Sequence, residues 1–129
     1  MSALTYPAAL PEVALDCSSD TTLSYAALTN DHNPLHVDAD FAATTPYGRP
    51  IAHGTMALNL LLAAIERSAA PALKIRDVQV RFIAPTPVPN RLVTRAVLAD
   101  PESGRYEVAA TRADGTDVLA GTVTLMPAG

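Results

Sequence analysis

The sequence predicts an α+β domain in which a curved antiparallel β-sheet wraps around one long α-helix. Three observations predict it. From Thr55 to about Arg67, apolar side chains fall on nearly every face (Met56, Leu58, Leu60, Leu61, Leu62, Ala63, Ile65), the mark of a helix buried on most sides. From Lys74 onward the period switches to two, with Val78, Val80, Phe82 and Ala84 on one side and Asp77, Gln79 and Arg81 on the other. The same alternation recurs around 91–99, 105–112 and 117–125, separated by the turn sequences Asp100-Pro-Glu-Ser-Gly104 and Asp114-Gly115. Strands joined by such turns are expected to be consecutive and antiparallel. Their apolar face must be covered, and the long helix is the only candidate cover.

The first half of the chain reads as helical and irregular. Asp20 is placed to cap a short helix over 21–29, which Asn30 ends because asparagine tolerates the left-handed conformation. Asn33-Pro34 imposes an extended turn, since the residue before proline avoids helical angles. Asp38 caps a further short helix through Ala43, and the loop Thr44-Thr-Pro-Tyr-Gly-Arg-Pro50 returns the chain to the long helix, where Asn59 is the one polar side chain inside. The cluster Pro85-Thr-Pro-Val-Pro89 breaks a strand and reads as a bend at a sheet corner. No linker, repeat or low-complexity segment divides the sequence, so one domain over 1–129 is expected.

Composition narrows the function. A chain of 129 residues that is 49% hydrophobic supports a real core. A net charge of -4 and a pI near 5.1 argue against a nucleic-acid partner, whose phosphates need a basic face. No run of about 18 apolar residues is present to span a membrane. Met1-Ser-Ala-Leu-Thr-Tyr-Pro lacks the basic start and apolar stretch of a signal peptide. The single cysteine, Cys17, cannot close an internal disulfide, which suits a reducing cytoplasm. It has no neighbouring histidine to make it a nucleophile.

The chemistry concentrates in one stretch. In Tyr25-Ala-Ala-Leu-Thr-Asn-Asp-His-Asn-Pro-Leu-His36 a carboxylate, Asp31, precedes an imidazole, His36, by five positions, with Asn33-Pro34 fixing the backbone between them. His53-Gly54 then opens the long helix, and all three histidines (His32, His36, His53) lie in this region. An acid, a base and a helix N-terminus are the parts needed to add or remove water beside a carbonyl, so the segment reads as an active site.

Tyr25-x-x-Leu-Thr-Asn-Asp31-x-Asn33-Pro34-Leu-His36, with Gly48-Arg-Pro-Ile-Ala-His53-Gly54 and Val80-Arg-Phe-Ile-Ala-Pro85, resembles the MaoC-like dehydratase or (R)-specific enoyl-CoA hydratase family. The resemblance runs from about Leu23 to Leu125 and implies a hot-dog fold. It implies reversible hydration of trans-2-enoyl thioesters, equivalently dehydration of (R)-3-hydroxyacyl thioesters, with coenzyme A as part of the substrate and no separate cofactor. Asp31 and His36 would be the catalytic dyad, and the N–H groups near Gly54 would meet the thioester oxygen. A homodimer or a dimer of dimers would be the assembly. The family usually has glycine where this chain has Asn30, and asparagine is the next-best residue for a positive φ.

Asn33, His53 and Asn59 are the substrate-binding candidates, each beside a plainer reading. Asp-x-Asn-Pro is also ordinary turn chemistry. His53 can hold the loop or cap the helix, and Asn59 can bond within the helix or to the sheet. Tyr25 reads as packing and His32 as solvent-facing. A metal held by His32 and His36 is not expected, because Pro34 lies between them and no further ligand completes the set. Two other functions stay open. One is the same chemistry on an acyl-carrier-protein thioester; the other is a non-catalytic hot-dog subunit paired with an active partner. The intact Asp31 and His36 speak against the latter. Arg49, Lys74, Arg76 and Arg81 are available for coenzyme A phosphates without forming a patch.

Overall fold

One antiparallel sheet of six strands is present among residues 6–69 and 71–128, which the computed structural model describes. Its strands are β1 (Ala9–Leu10), β2 (Ala14–Cys17), β3 (Leu73–Phe82), β4 (Asn90–Asp100), β5 (Arg105–Thr111) and β6 (Asp117–Pro127). The helices are α1 (Ser19–Thr29), α2 (Pro34–Val37), α3 (Ala39–Ala43) and α4 (Gly54–Ala69). Residues 1–5, part of the stretch considered above for a leader, lie outside the described residues. No described helix is long and apolar enough to cross a membrane.

The strand order is β1-β4-β5-β6-β3, with β2 also pairing β4. β4, β5 and β6 form the expected meander. The strand that precedes the bend at 85–89 does not continue that run beside β4: β3 pairs β6 at the far edge, with Val78 opposite Val123 and Val80 opposite Gly121. The segment from Ile83 to Pro89 therefore carries the chain from one side of the sheet to the other. It does more than bend, because Ile51 bridges Pro87, Ala52 N–H donates to the Thr86 carbonyl at 2.8 Å and Val88 N–H donates to the Pro50 carbonyl at 2.8 Å.

Period-two patterning sets the inner face. Leu92 and Ala96 of β4, Tyr106, Val108 and Ala110 of β5, and Leu119, Val123 and Leu125 of β6 are all buried. They pack with Met56, Ala57, Leu61 and Ile65 of α4 in one core. A register shift between Ile75 and Asp77 inserts Arg76 and keeps both Ile75 and Val78 against that core. Phe82 occupies an inward register at the strand's end yet stays 57% exposed.

Local capping decides the helix ends. α1 starts earlier than expected, because the Ser18 hydroxyl accepts from Thr21 N–H at 3.2 Å and Asp20 falls in the first turn instead. Asn30 stops α1 at φ 56°, ψ 34°, with its N–H bonded to the Ala26 carbonyl. Asp38 caps α3 by accepting from Phe41 N–H at 3.1 Å. α4 is not enclosed all round, since Asn59 is exposed and Leu58 and Leu62 are half-buried.

Cys17 sits in this core beside the Met56 sulfur, 3.7 Å away. Burial, with a smaller push from the Asp16 carboxylate, raises its thiol to about 11. The unfolded thiol ionises first as pH rises, so its contribution to stability is complete below the unfolded value and is lost on passing the folded one. Denaturant titrations from pH 8 to 11 should show wild-type stability falling through this window with a slope that Cys17→Ala lacks. Equal slopes would contradict the placement.

Candidate active site

Three turns in succession build the site. Past the left-handed Asn30, Asp31 N–H donates back to the Ala26 carbonyl at 3.1 Å, which turns the chain off α1. One Asp31 carboxylate oxygen accepts from Asn33 N–H at 3.3 Å, and the Asn33 side chain caps α2 by accepting from Leu35 N–H at 3.0 Å. Pro34 is the first residue of α2, where its missing N–H costs nothing. The turn chemistry read for Asp31 thus coexists with an outward carboxylate, whose side chain is 50% exposed.

His36, on α2, reaches the loop before α4. Its Nδ1 lies 2.8 Å from the Ile51 carbonyl, which can only accept, so Nδ1 carries the proton. In the neutral ring, Nε2 is left as a lone pair. The His53 ring stacks on that of His36 with centroids 4.0 Å apart and planes 28° from parallel. His53 is 3% exposed and its Nε2 donates to the Asp31 main-chain carbonyl at 2.9 Å. Asp31, His36 and His53 each bring one ligand-type atom within 4.8 Å of the others. Among the described residues this trio, not His32 with His36, is the group compact enough to consider for a cation. The nearest His53 nitrogen is already committed to the Asp31 carbonyl, while His32 is exposed.

A cleft of about 300 Å³ opens beside His36, His53 and Gly54. Ala57 and Val118 line its depth, and Tyr47, Phe82, Ile83 and Thr86 also line it. Gly54 begins α4; Met56 N–H is taken by the His53 carbonyl at 3.0 Å, while the N–H groups of Gly54 and Thr55 have no partner within the helix and add the positive end of its dipole. A methyl group at Gly54 would meet only the Phe82 ring, at 3.8 Å, which is ordinary contact. Glycine here is required neither by packing nor by a positive φ; it keeps the helix start bare toward the cleft.

Asp31 is not itself among the cleft-lining residues and meets the cleft only through its closeness to His36 and His53, and the remaining candidates also fall outside it. Asn59 donates to the Tyr25 hydroxyl at 2.8 Å, and that hydroxyl lies 2.7 Å from the Thr55 hydroxyl. Asn59 and Tyr25 thereby brace α1 against the first turns of α4, and neither is among the cleft-lining residues. Asn33 is engaged as a cap. Of the four cations, Arg81 adjoins Phe82 and Arg49 stands between Tyr47 and Ile51, whereas Lys74 and Arg76 lie toward the far end of β3, about 20 Å or more away by strand rise. Sequence reasoning missed the Ile51 carbonyl, the cleft wall formed by 83–86 and the role of Arg112. Arg112 braces that wall by donating to the Pro85 carbonyl at 2.7 Å, and its bond to Asp114 holds the Asp114 carboxyl well below the usual carboxylate range. The Arg-Phe-x-x-Pro motif was the one signal pointing to this wall.

Comparison with known proteins agrees with the geometry. Residues 7–119 match the family described as MaoC like domain. The chain is 31% identical over 107 residues to a 3-hydroxybutyryl-CoA dehydratase of Methylorubrum extorquens, covering 81% of this chain and 68% of that protein. Its fold superposes on the unliganded R-hydratase PhaJ1 of Pseudomonas aeruginosa with a TM-score of 0.79 at 26% identity, covering 91% of this chain and 78% of the other. A chain of the ChsH1-ChsH2 complex of Mycobacterium tuberculosis gives 0.80 at 21% identity, over 98% and 99% of the two chains, and shares the fold.

Proposed function

Because the chain belongs to the MaoC-like domain family, we propose that it is a hydro-lyase that interconverts trans-2-enoyl and (R)-3-hydroxyacyl thioesters, with coenzyme A as the carrier. The observation that carries this reading is the convergence of Asp31, His36 and His53 to within 4.8 Å, with His36 and His53 lining the same cleft as the helix start at Gly54. A water held between the Asp31 carboxylate and the free His36 Nε2 donates a hydrogen bond to each. In hydration its oxygen bonds to C3, one water O–H bond breaks, and a proton is delivered through the dyad to C2. The thioester oxygen, which gains charge in between, is met by the N–H groups of the α4 start. Acid–base assistance of this kind is worth about 10²–10⁴-fold. Both proton transfers are supplied by side chains, so the reaction as proposed needs no cofactor. Arg49 and Arg81 are exposed and lie within two positions in sequence of cleft-lining residues, which makes them candidates for the phosphates of coenzyme A.

A screen of enoyl-CoA esters of graded length, following loss of the conjugated thioester band, tests the reading, with one matched acyl-carrier-protein thioester run in parallel. Turnover of coenzyme A esters supports it. Turnover of only the carrier-protein ester would replace the carrier, and turnover of neither would reject the reaction. Gly54→Ala gives an independent check. The added methyl fits against Phe82 and removes glycine's entropic cost in a helix, so stability should hold or rise slightly. Alanine keeps the backbone N–H, but its methyl would stand on the cleft side beside Phe82 and hinder the thioester oxygen's approach. Turnover should therefore fall, by up to roughly 10²-fold, the scale of losing an oxyanion contact.

The same proposal includes a homodimer. β3 is a ten-residue strand with one free edge, and Phe82 and Ile83 beside it are 57% and 52% exposed. Two copies pairing β3 edge to edge would continue the sheet and cover these side chains. Light scattering should give about twice the 13.5 kDa chain mass, or a multiple of that. A stable, fully active monomer would contradict it.

A further inference from the structure

His53 carries an anomaly that the proposed reaction does not use. It is 3% exposed, and its Nδ1 has no hydrogen-bond partner. A buried polar atom left unpaired is a cost, and it persists where another part of the same group is needed. In His53 the other part is Nε2–H, 2.9 Å from the Asp31 carbonyl and spanning 22 positions of sequence. The same ring lies between two others: His36 stacks at 4.0 Å, and Tyr25 packs at 4.9 Å with a tilt of 55°. His53 therefore touches both members of the dyad, one through its backbone and one through its ring.

We infer that His53 is a positioning residue, which sets the separation of the Asp31 carboxylate and the His36 imidazole by holding the Asp31 carbonyl with Nε2–H and backing the His36 ring. The inference rests on the dyad reading above. Of the two readings the sequence offers for His53, substrate contact and holding the loop, it takes the second. The main-chain grip matters because the Asp31 carboxylate itself is held by the turn bond from Asn33 N–H and stands 4.0 Å from His53 Nε2, beyond hydrogen-bond range. A small displacement of a reacting group is costly: a misplacement of about 1 Å lowers rates on the order of 10²-fold.

Two substitutions separate the functions of the ring. His53→Gln keeps an N–H able to reach the Asp31 carbonyl but loses the flat ring. His53→Phe keeps the ring and loses the donor. With an enoyl-CoA substrate, His53→Phe is expected to lower kcat about 10–10²-fold with KM changed less than about threefold. His53→Gln should recover most of that loss. In an Asp31→Asn background the His53→Phe substitution should lower kcat little further, because the group it positions is already disabled. General structural damage would instead add in full to the Asp31→Asn loss, and a substrate contact would raise KM; either result overturns the inference. Should His53→Phe fail to fold, His53→Gln decides alone: kcat within about fivefold of wild type, with unchanged KM, supports the donor role, and a larger loss in a folded protein rejects it. Asp31→Asn and His36→Ala, measured alongside, keep the two claims distinct. If they retain turnover, the dyad reading fails; if they lose it while His53→Phe does not, only the positioning inference fails.

Discussion

Replacing Asp31 by Asn, or His36 by Ala, is expected to lower turnover of an enoyl thioester about 10²–10⁴-fold while the fold stays intact. Asp31→Asn is nearly isosteric and still offers an oxygen to Asn33 N–H, so the turn that presents it survives. His36→Ala removes the donor to the Ile51 carbonyl, a net loss of about 0.5–1.5 kcal/mol for a hydrogen bond of this type. That is too little to unfold a domain whose stability is on the order of 5–15 kcal/mol. KM should move less than kcat, because most of the cleft wall, including Tyr47, Phe82, Ile83 and Thr86, is unchanged. The double variant should be little worse than the poorer single one, since two groups sharing one water act as a unit. Steady-state kinetics with circular dichroism on the same samples checks all of this. Near-normal turnover in either folded single variant would remove the dyad from the mechanism.

The second large effect is on folding. Gly121 of β6 lies opposite Val108 of β5 and Val80 of β3. A side chain there would run into the backbone of β3: the Gln79 carbonyl oxygen, with the Val80 Cα at 2.7 Å. Neither neighbour is a flexible side chain that can swing away, so the two strands would have to separate. Gly121→Ala is expected to cost about 3 kcal/mol, the upper range for overpacking. On a domain of this size that lowers the melting temperature by roughly 10 °C. Gly54→Ala is the matched control, because there the added methyl meets only the Phe82 ring at 3.8 Å. Calorimetry on both variants should show a large drop for one and none for the other. Equal melting temperatures would show that β3 and β6 yield more easily than their spacing implies.

Features written in local chemistry were legible in the sequence. Asn30 ends α1 in the left-handed region, Asp38 caps α3, and the turns at 100–104 and 114–115 organise β4, β5 and β6. Each depends on residues within a few positions of one another. The misplaced N-cap shows the limit of such signals: Ser18 and Asp20 are both good caps two positions apart, and only the bond to Thr21 N–H separates them. What was not legible depends on distant backbone. β1 and β2 are two and four residues long, show little alternation, and exist because β4 offers them an edge. β3 looks like half of a hairpin with β4 until the crossing segment 83–89 carries the chain away. At the site, the spacing of Asp31 and His36 marked them as candidates, but the Ile51 carbonyl that holds the His36 ring and the His53 ring that holds the Asp31 carbonyl are distant contacts, which local patterning does not reveal.

The central claim is that Asp31 and His36, beside the start of α4, add one water across an enoyl thioester from a fixed face. Incubation with crotonyl-CoA, followed by chiral resolution of the product, tests it most directly. The account predicts loss of the conjugated thioester absorbance and a product that is predominantly (R)-3-hydroxybutyryl-CoA, with both signals falling together in Asp31→Asn. A predominantly (S) product, or hydration that persists undiminished in Asp31→Asn, would contradict it.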